Sequence, residues 1–477
     1  MRRRDGGRLL VGGTPPRMVR LSEAGAAALD AILAGAVPDP APSGRPLARP
    51  AGLESTAAAG AGQGSTADGL SALARRLVGN GLVHPLPGDG RGDPEVTAVV
   101  PVLDGGARLG ELVAPLAAEG PVIVVDDGSR DGSAARAERA GARVLRHDRP
   151  LGPAAARNAG LAAAGTDLVA FLDADCEVAP GWRRGLAGLL AAEPGLALVA
   201  PRVRSAPGDS ALARYEEAGS PLDLGPAASL VGPERRVAYL PAAALLGHRD
   251  ALLGLGGFNE SMRFGEDVDL VWRALAAGYQ ARYAPSREVR HRPRPTIGAF
   301  ARQRAGYGGS APELVRRHGN AATPLRASRH SVAIWAATAL LGPRALLPAL
   351  AASTAIVARR GNDAASRKAL AEAALRGQTG ATTHLARVLL REWLPLSLAA
   401  ASFSRRARCA LLVAFVVDSL PVWAAAPSPA EFAGATALHA LDQAGYAVGM
   451  WREMARGADF RALRPGSPQS SPEVARR

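Results

Sequence analysis

The chain has 477 residues, too many for one compact core, so two or three domains are expected. Two cysteines, Cys176 and Cys409, leave no disulfide framework and fit a reducing interior. The net charge of +14 is uneven: residues 281–477 hold 28 Lys and Arg against 11 Asp and Glu, whereas residues 1–280 hold 29 against 32. Aromatic residues are only 4% and no zinc-finger spacing occurs, so the basic, apolar C-terminal part points to an anionic ligand or a membrane surface and not to nucleic acid.

Met1-Arg2-Arg3-Arg4 is basic, but no apolar core of signal-peptide length follows, which predicts a cytoplasmic protein. Residues 8–13 and 17–21 read as two short strands around a Gly/Pro turn. Ser22 caps a helix with Ala26, Ala27, Leu29, Ile32 and Leu33 as its apolar stripe and Gly35 as its stop. Residues 38–68 are an Ala, Gly, Pro and Ser connector. A helix over 70–78, a turn at Asn80-Gly81 and a strand at Leu82-Val83-His84 complete a winged-helix outline, with His84 as a surface residue. That outline resembles the peptide-recognition modules of modified-peptide pathways, in which a leader peptide adds a strand to the sheet edge. A cap covering the next domain fits the same elements.

Residues 94–296 alternate strand and helix, the cadence of a parallel sheet. Val96–Val102 is the first strand, and Pro101 ends its pairing where a ligand loop begins. A helix over 109–118 leads to the strand 122–125 and the loop Asp126-Asp127-Gly128-Ser129, then to a helix over 134–140 and a strand over 143–145. The spacing is not that of a dinucleotide fingerprint. Gly152-Pro153 opens a helix that carries Arg157 and Asn158 one turn inside, a position able to meet phosphate or a base carbonyl. Leu168–Leu172 is a continuous apolar run and so a strand buried on both faces, which delivers Asp173-Ala174-Asp175 to the sheet's carboxyl edge. Two carboxylates two residues apart there suit Mg²⁺ or Mn²⁺. Further on, Glu266-Asp267 opens a helix running to Gly278, where acidic residues either complement the helix dipole or supply a general base.

In the C-terminal part, Val332–Ala358 is long and apolar enough to span a bilayer but holds Pro343, Arg344 and Pro348. The run 409–426 is apolar but holds Asp418 and Pro421. Trp393–Phe403 is apolar and is followed by Arg405, Arg406 and Arg408, which fits helices lying against an inner leaflet; a soluble helical appendage is the other reading. Residues 464–477 read as a disordered tail.

Val99-Val100-Pro101-Val102-Leu103-Asp104, Val125-Asp126-Asp127-Gly128-Ser129, Ala156-Arg157-Asn158-Ala159-Gly160 and Phe171-Leu172-Asp173-Ala174-Asp175 together resemble the successive motifs of family 2 glycosyltransferases. The resemblance covers residues 95–292 and implies a GT-A fold: a Rossmann-like α/β, mostly parallel sheet, here with a small N-terminal winged-helix-like module over 1–93 and a helical region over 297–463. It implies that Pro101, Val102, Asp104 and one of Asp126 and Asp127 hold the nucleobase with support from Arg157, and that Asp173 meets the ribose. It further implies that Asp175, with Asp173 and His291, binds the metal, and that Asp267 is the base with Glu266 beside it. No Gln-x-x-Arg-Trp motif is present, only Arg302-Gln303-Arg304-Ala305-Gly306-Tyr307-Gly308, which leaves the acceptor open. The three-part arrangement is similar to the mycofactocin-system glycosyltransferases. That likeness implies inverting transfer of several β-linked glucose units from UDP-glucose onto a mycofactocin precursor, at the inner face of the cell membrane. Transfer to polyprenyl phosphate or a cell-wall glycan would use the same catalytic residues.

Overall fold

The structure, a computed structural model, describes residues 2–5, 8–12, 17–34, 73–74, 76–79, 81–86, 94–193 and 195–466. The connector expected over 38–68, the stop at Gly35 and the tail beyond 466 lie outside the described residues.

The N-terminal unit holds three antiparallel strands where the sequence suggested two: β1 (Arg2–Arg4), β2 (Leu9–Gly12) and β3 (Arg17–Arg20). The opening arginine run pairs along β2, and Arg3 also bonds Asp30 of the Glu23–Leu33 helix. That helix starts where Ser22 Oγ accepts the Gly25 N–H at 3.1 Å. Alternation along β2 gives it two apolar faces. Leu10 turns inward onto Leu29, Leu77 and Leu82, while Leu9 and Val11 lie on Ala369 of the Ala364–Leu390 helix. Residues 82–84 are not a strand: the Leu82 N–H is taken by the Leu77 carbonyl, which turns the chain out of any ladder. His84 is likewise no surface residue. Its Nδ1 lies 3.0 Å from the guanidinium of Arg282, and burial together with that charge pushes its pKa down to about 4.

The main sheet comprises β4 (Val96–Val102), β5 (Val122–Asp126), β6 (Arg143–Arg146), β7 (Leu168–Leu172), β8 (Cys176–Val178), β9 (Leu196–Ser205), β10 (Ser229–Leu230), β11 (Ala244–His248) and β12 (Gln280–His291). Their order is β10-β12-β9-β11-β7-β4-β5-β6, with β8 also on β12. Strands β6, β5, β4 and β7 run parallel; β11 is antiparallel between β7 and β9; β12 runs parallel to β9. One antiparallel strand between two parallel groups brings the carboxyl ends of β4, β5, β7 and β12 to the same edge. Helices cover both faces. Gly160 lets the Pro153–Ala163 helix lie on β4, since a Cβ there would come 2.3 Å from Val99 Cγ1.

C-terminal to the sheet, the helices Ile297–His318 and Pro429–Gly457 meet backbone to backbone: a Cβ on Gly308 would lie 1.9 Å from the Tyr446 carbonyl oxygen, and one on Gly449 would lie 1.8 Å from that of Ala305. The apolar run 332–358 does not form one helix. Gly342, at φ 86°, and Pro343 divide it into Arg329–Leu341 and Leu346–Ala358. Among the described residues one helix, Arg405–Ala424, is long and apolar enough to cross a membrane. Phe403, 92% exposed, stands beside its start, and Leu412, Val413, Val416 and Leu420 are exposed along it.

Candidate active site

The shared strand edge opens into a cavity of about 1000 Å³, bounded on one side by the sheet and on the other by the C-terminal helices. Its first wall is the loop after β4. Asp104 adopts a left-handed φ of 52°, which its short polar side chain tolerates because Oδ1 accepts the Arg130 N–H at 2.9 Å. The Asp104 and Gly105 N–H groups are in turn taken by Ser129 and Ser133 at 2.9 Å each. Pro101, Val102 and Asp104 all line the cavity.

The Asp126-Asp127 pair divides. Asp127 lines the cavity and organises the next loop, accepting the Leu151 and Gly152 N–H groups at 2.9 and 2.8 Å and meeting His147 Nδ1 at 2.7 Å. Asp126 points the other way: it is 1% exposed, its Oδ1 caps the Ser129 N–H at 2.8 Å, and its other oxygen lies 3.7 Å from Arg146. Of the two carboxylates read from the sequence, only Asp127 lines the cavity. Asn158, next to Arg157, is also turned away. It pins the loop before the second acidic motif by exchanging hydrogen bonds with the Phe258 backbone and donating to Glu260, close against Gly257.

At the end of β7, Asp173 and Asp175 meet His291 from the end of β12, with ligand atoms all within 4.8 Å of one another. Asp175 Oδ1 is 3.1 Å from His291 Nε2 and its Oδ2 is 3.3 Å from Arg294. Burial works against the charged carboxylate of Asp175, but the bond from His291 and the Arg294 charge outweigh it and hold its pKa below the usual range. Three residues placed apart in the sequence thus form a cluster with the oxygen and nitrogen donors that a divalent cation takes.

Arg157, expected to support a nucleobase, lines the cavity and joins the two acidic motifs. One nitrogen donates to Asp173 and another to Glu266, each at 2.7 Å, from a nearly buried position. Glu266 and Asp267 open the Glu266–Ala276 helix over Gly265, which holds φ 78°. Asp267 accepts the Val268 and Ala242 N–H groups at 2.8 and 3.2 Å. Burial, then the neighbouring Asp267 charge, pushes Glu266 up to about 7 against the pull of Arg157. Burial also raises Asp267. The sequence had given no reason to expect raised carboxylates here; the cause is the cover supplied by distant helices.

Sequence reasoning did not find the remaining wall. Tyr239, Phe264, Gln303, Arg304, Tyr307, Arg391, Asp442 and Tyr446 all line the cavity. Arg304, 2% exposed, pairs with Glu216 and reaches Asp442 at 3.1 Å, and Tyr215 donates to Asp442 at 3.0 Å. The stretch 302–308 that lacks the processive motif supplies three of these residues, on one face of one helix. Its polar residues at helical spacing were the available signal.

A mixed sheet of this order, with a carboxylate pair at a strand end facing a general-base candidate across a deep cleft, defines a GT-A glycosyltransferase. Two family models agree: glycosyl transferase family 2 matches residues 97–229, and glycosyl transferase family group 2 matches residues 168–426. The chain is 38% identical over 409 residues to the pre-mycofactocin glycosyltransferase of Mycobacterium tuberculosis, covering 82% of this chain and 86% of that one. It is 34% identical over 190 residues to the succinoglycan biosynthesis protein ExoU of Rhizobium meliloti, covering 36% and 52%. Among solved structures, the mannosyltransferase PcManGT from Pyrobaculum calidifontis in complex with GDP-Man and Mn²⁺ is similar at 20% identity and TM-score 0.40, covering 74% and 95%. The chain belongs to the family 2 glycosyltransferases and, within them, to the family of the pre-mycofactocin glycosyltransferase.

Proposed function

We propose that the chain transfers glucose with inversion from UDP-glucose onto mycofactocin or its peptide-derived precursor, adding several β-linked units. The observation that carries this reading is the meeting of the Asp173, Asp175 and His291 cluster with Glu266 and Asp267 across one cleft, joined by Arg157. The cluster's hard donors fit Mg²⁺ or Mn²⁺, and when bound there the ion would supply positive charge to the diphosphate. Pro101, Val102, Asp104 and Asp127 hold the uridine, and Asp173 meets the ribose. Asp267 takes the proton of the acceptor hydroxyl as its oxygen attacks the anomeric carbon; the bond to the diphosphate oxygen breaks and UDP leaves from the opposite face. Asp267 suits this task because the Ala242 and Val268 N–H groups fix its orientation and burial makes it the stronger base. Arg157 keeps Glu266 and Asp173 in register.

The proposal extends to the outer parts. The N-terminal unit, residues 1–93, serves as a peptide-recognition module docked on β12 through His84 and Arg282. The exposed apolar residues around Phe403 and Leu412, flanked by Arg405, Arg406 and Arg408, rest on the anionic inner face of the cell membrane.

The test incubates purified protein with UDP-glucose, Mn²⁺ and the peptide-derived acceptor, following mass. Stepwise hexose gain in the wild type, absent in Asp175→Ala, is the expected result. Transfer to polyprenyl phosphate in place of that acceptor would sink the mycofactocin assignment and keep the transferase.

A further inference from the structure

We propose that Asp269, in the first turn of the Glu266–Ala276 helix, is a positioning residue for the transfer: it fixes where Glu266 and Asp267 stand between the two walls of the cleft. The inference rests on the glycosyl-transfer reading above and adds a buried residue on which the proposed base depends.

The helix separates its acids. Asp267 and Asp269 are two residues apart, about 200° around an α-helix, so they face opposite ways. Asp267 lines the cavity, whereas Asp269 is 0% exposed. A carboxylate buried to that extent needs partners for both oxygens, and three side chains supply them. Oδ1 accepts from Arg317 Nε at 2.6 Å and meets His318 Nε2 at 2.9 Å; Oδ2 accepts from Arg273 Nε at 2.7 Å. Burial works against the charge of Asp269, but the bonds from Arg317, Arg273 and His318 outweigh it and hold its pKa below the usual carboxylate range.

Each partner leads to one wall. Arg273 donates onward to the Leu255 and Gly257 carbonyls at 2.6 Å each. The backbone of the next residue, Phe258, exchanges hydrogen bonds with the Asn158 side chain at 2.8 and 2.9 Å, and its ring lies 5.4 Å from the Arg157 guanidinium. Arg157 in turn holds Glu266 and Asp173. The path from Asp269 thus returns to the start of its own helix, a closed ring that takes in the carboxylate at the end of β7. On the other side, Arg317 and His318 end the Ile297–His318 helix, which carries Gln303, Arg304 and Tyr307 on the opposite wall. Trp272 repeats that link: its ring lies edge to face with His318 at 5.2 Å, and its Nε1 donates to the Ala238 carbonyl, beside Tyr239, at 2.8 Å.

The consequence is geometric. The Glu266–Ala276 helix begins on Gly265 with no capping side chain, and Asp269 supplies an anchor within the same turn as Asp267. Without its charge, Arg273, Arg317 and His318 lose their shared acceptor, and the two walls lose the joint that relates them. A proton acceptor displaced by about 1 Å costs about a hundredfold in rate, although no group that touches substrate has changed.

The test compares Asp269→Asn, which keeps the shape, with Arg317→Gln, which removes one partner. UDP release from UDP-glucose, with Mn²⁺ and the peptide-derived acceptor, is expressed per UDP-binding site counted by calorimetry, so that unfolded protein does not enter the rate. Asp269→Asn should lower kcat by about a hundredfold and leave the KM for UDP-glucose within about threefold. Arg317→Gln should lower kcat by about tenfold, and the double variant no further than Asp269→Asn alone. Amide exchange followed by mass spectrometry should rise over residues 259–268 in both single variants. A kcat per site equal to the wild type, a loss carried by KM, additive losses in the double variant, or exchange over 259–268 at the wild-type level would overturn the role. Where Asp269→Asn fails to fold, Arg317→Gln decides by the same readings. The exchange arm uses no sugar and no acceptor: a wild type that releases no UDP sinks the donor and acceptor reading, and exchange still decides on Asp269.

Discussion

The two sides of the cleft were built in different ways. The side proposed for the donor comes from loops at the ends of neighbouring strands, each a short motif within residues 101–175. The opposite side comes from Tyr239, from one face of the Ile297–His318 helix, from Arg391 and from the Pro429–Gly457 helix. Strand-end loops are positioned by sheet register, so their spacing in sequence is their spacing in space. Two helix faces, a loop residue and a turn residue are positioned by packing, and nothing local records that they meet. The first side can be read from a string of letters and the second cannot.

Substitutions sharpen that contrast. The largest effects are expected where the two sides meet: Asp175→Ala and Asp267→Asn should each lower hexose transfer by about 10³-fold, checked by initial rates of UDP release. Parity with the wild type in either would remove the residue from its proposed role. Next come the buried arginines, one on each side. Arg157→Met leaves Glu266 and Asp173 unpaired, and Arg304→Met does the same to Glu216 and Asp442, so each should cost about 3–5 kcal/mol in urea unfolding. A loss confined to Arg157→Met would mean that the C-terminal helices do not share the fold's stability. Gly449→Ala pushes a methyl into the Ala305 carbonyl and should cost about 1–3 kcal/mol, read as a lower Tm, because two backbones must part.

The pH dependence follows from Glu266. Its carboxylate must be ionised to hold Arg157, and its pKa is carried up to about 7 from 4.5, so transfer should fall as pH drops through about 7. Stability moves the other way: the folded chain binds this proton more tightly than the unfolded chain, so that contribution is lost as pH rises through about 7. Glu266→Gln should shift the acidic limb of the rate profile downward, and an unmoved limb would assign it to another group. The smallest effect belongs to the surface. Phe403→Ser, which changes a residue 92% exposed, should weaken sedimentation with anionic vesicles by about ten- to a hundredfold, at about 1.5–3 kcal/mol per apolar side chain, while leaving the rate on a soluble acceptor unchanged.

Much of the sheet was legible because its strands are continuous apolar runs ending in carboxylates. Leu168–Leu172 falls where the sequence put a strand, and the helix from Glu266 begins at the residue named for it. What the sequence left open or missed has physical causes. Asp126 and Asp127 are identical in type and adjacent, so which one meets the cleft stays open until strand alternation sends one inward and one to the cavity. His84 looked like a surface residue because its partner, Arg282, lies 198 residues away. In the apolar run 332–358 the sequence marked Pro343 as an interruption, and the structure divides the run at Gly342 and Pro343. The raised carboxylates, and the tyrosines beside them, depend on cover from helices whose position no spacing discloses.

The most direct test of the account is a crystal grown with UDP and Mn²⁺ and measured at the manganese absorption edge. The account predicts one anomalous peak among Asp173, Asp175 and His291, with the uracil against Asp127 and the open end of the cleft toward Tyr446. A manganese peak elsewhere, or UDP lying across the tyrosine wall, would contradict it.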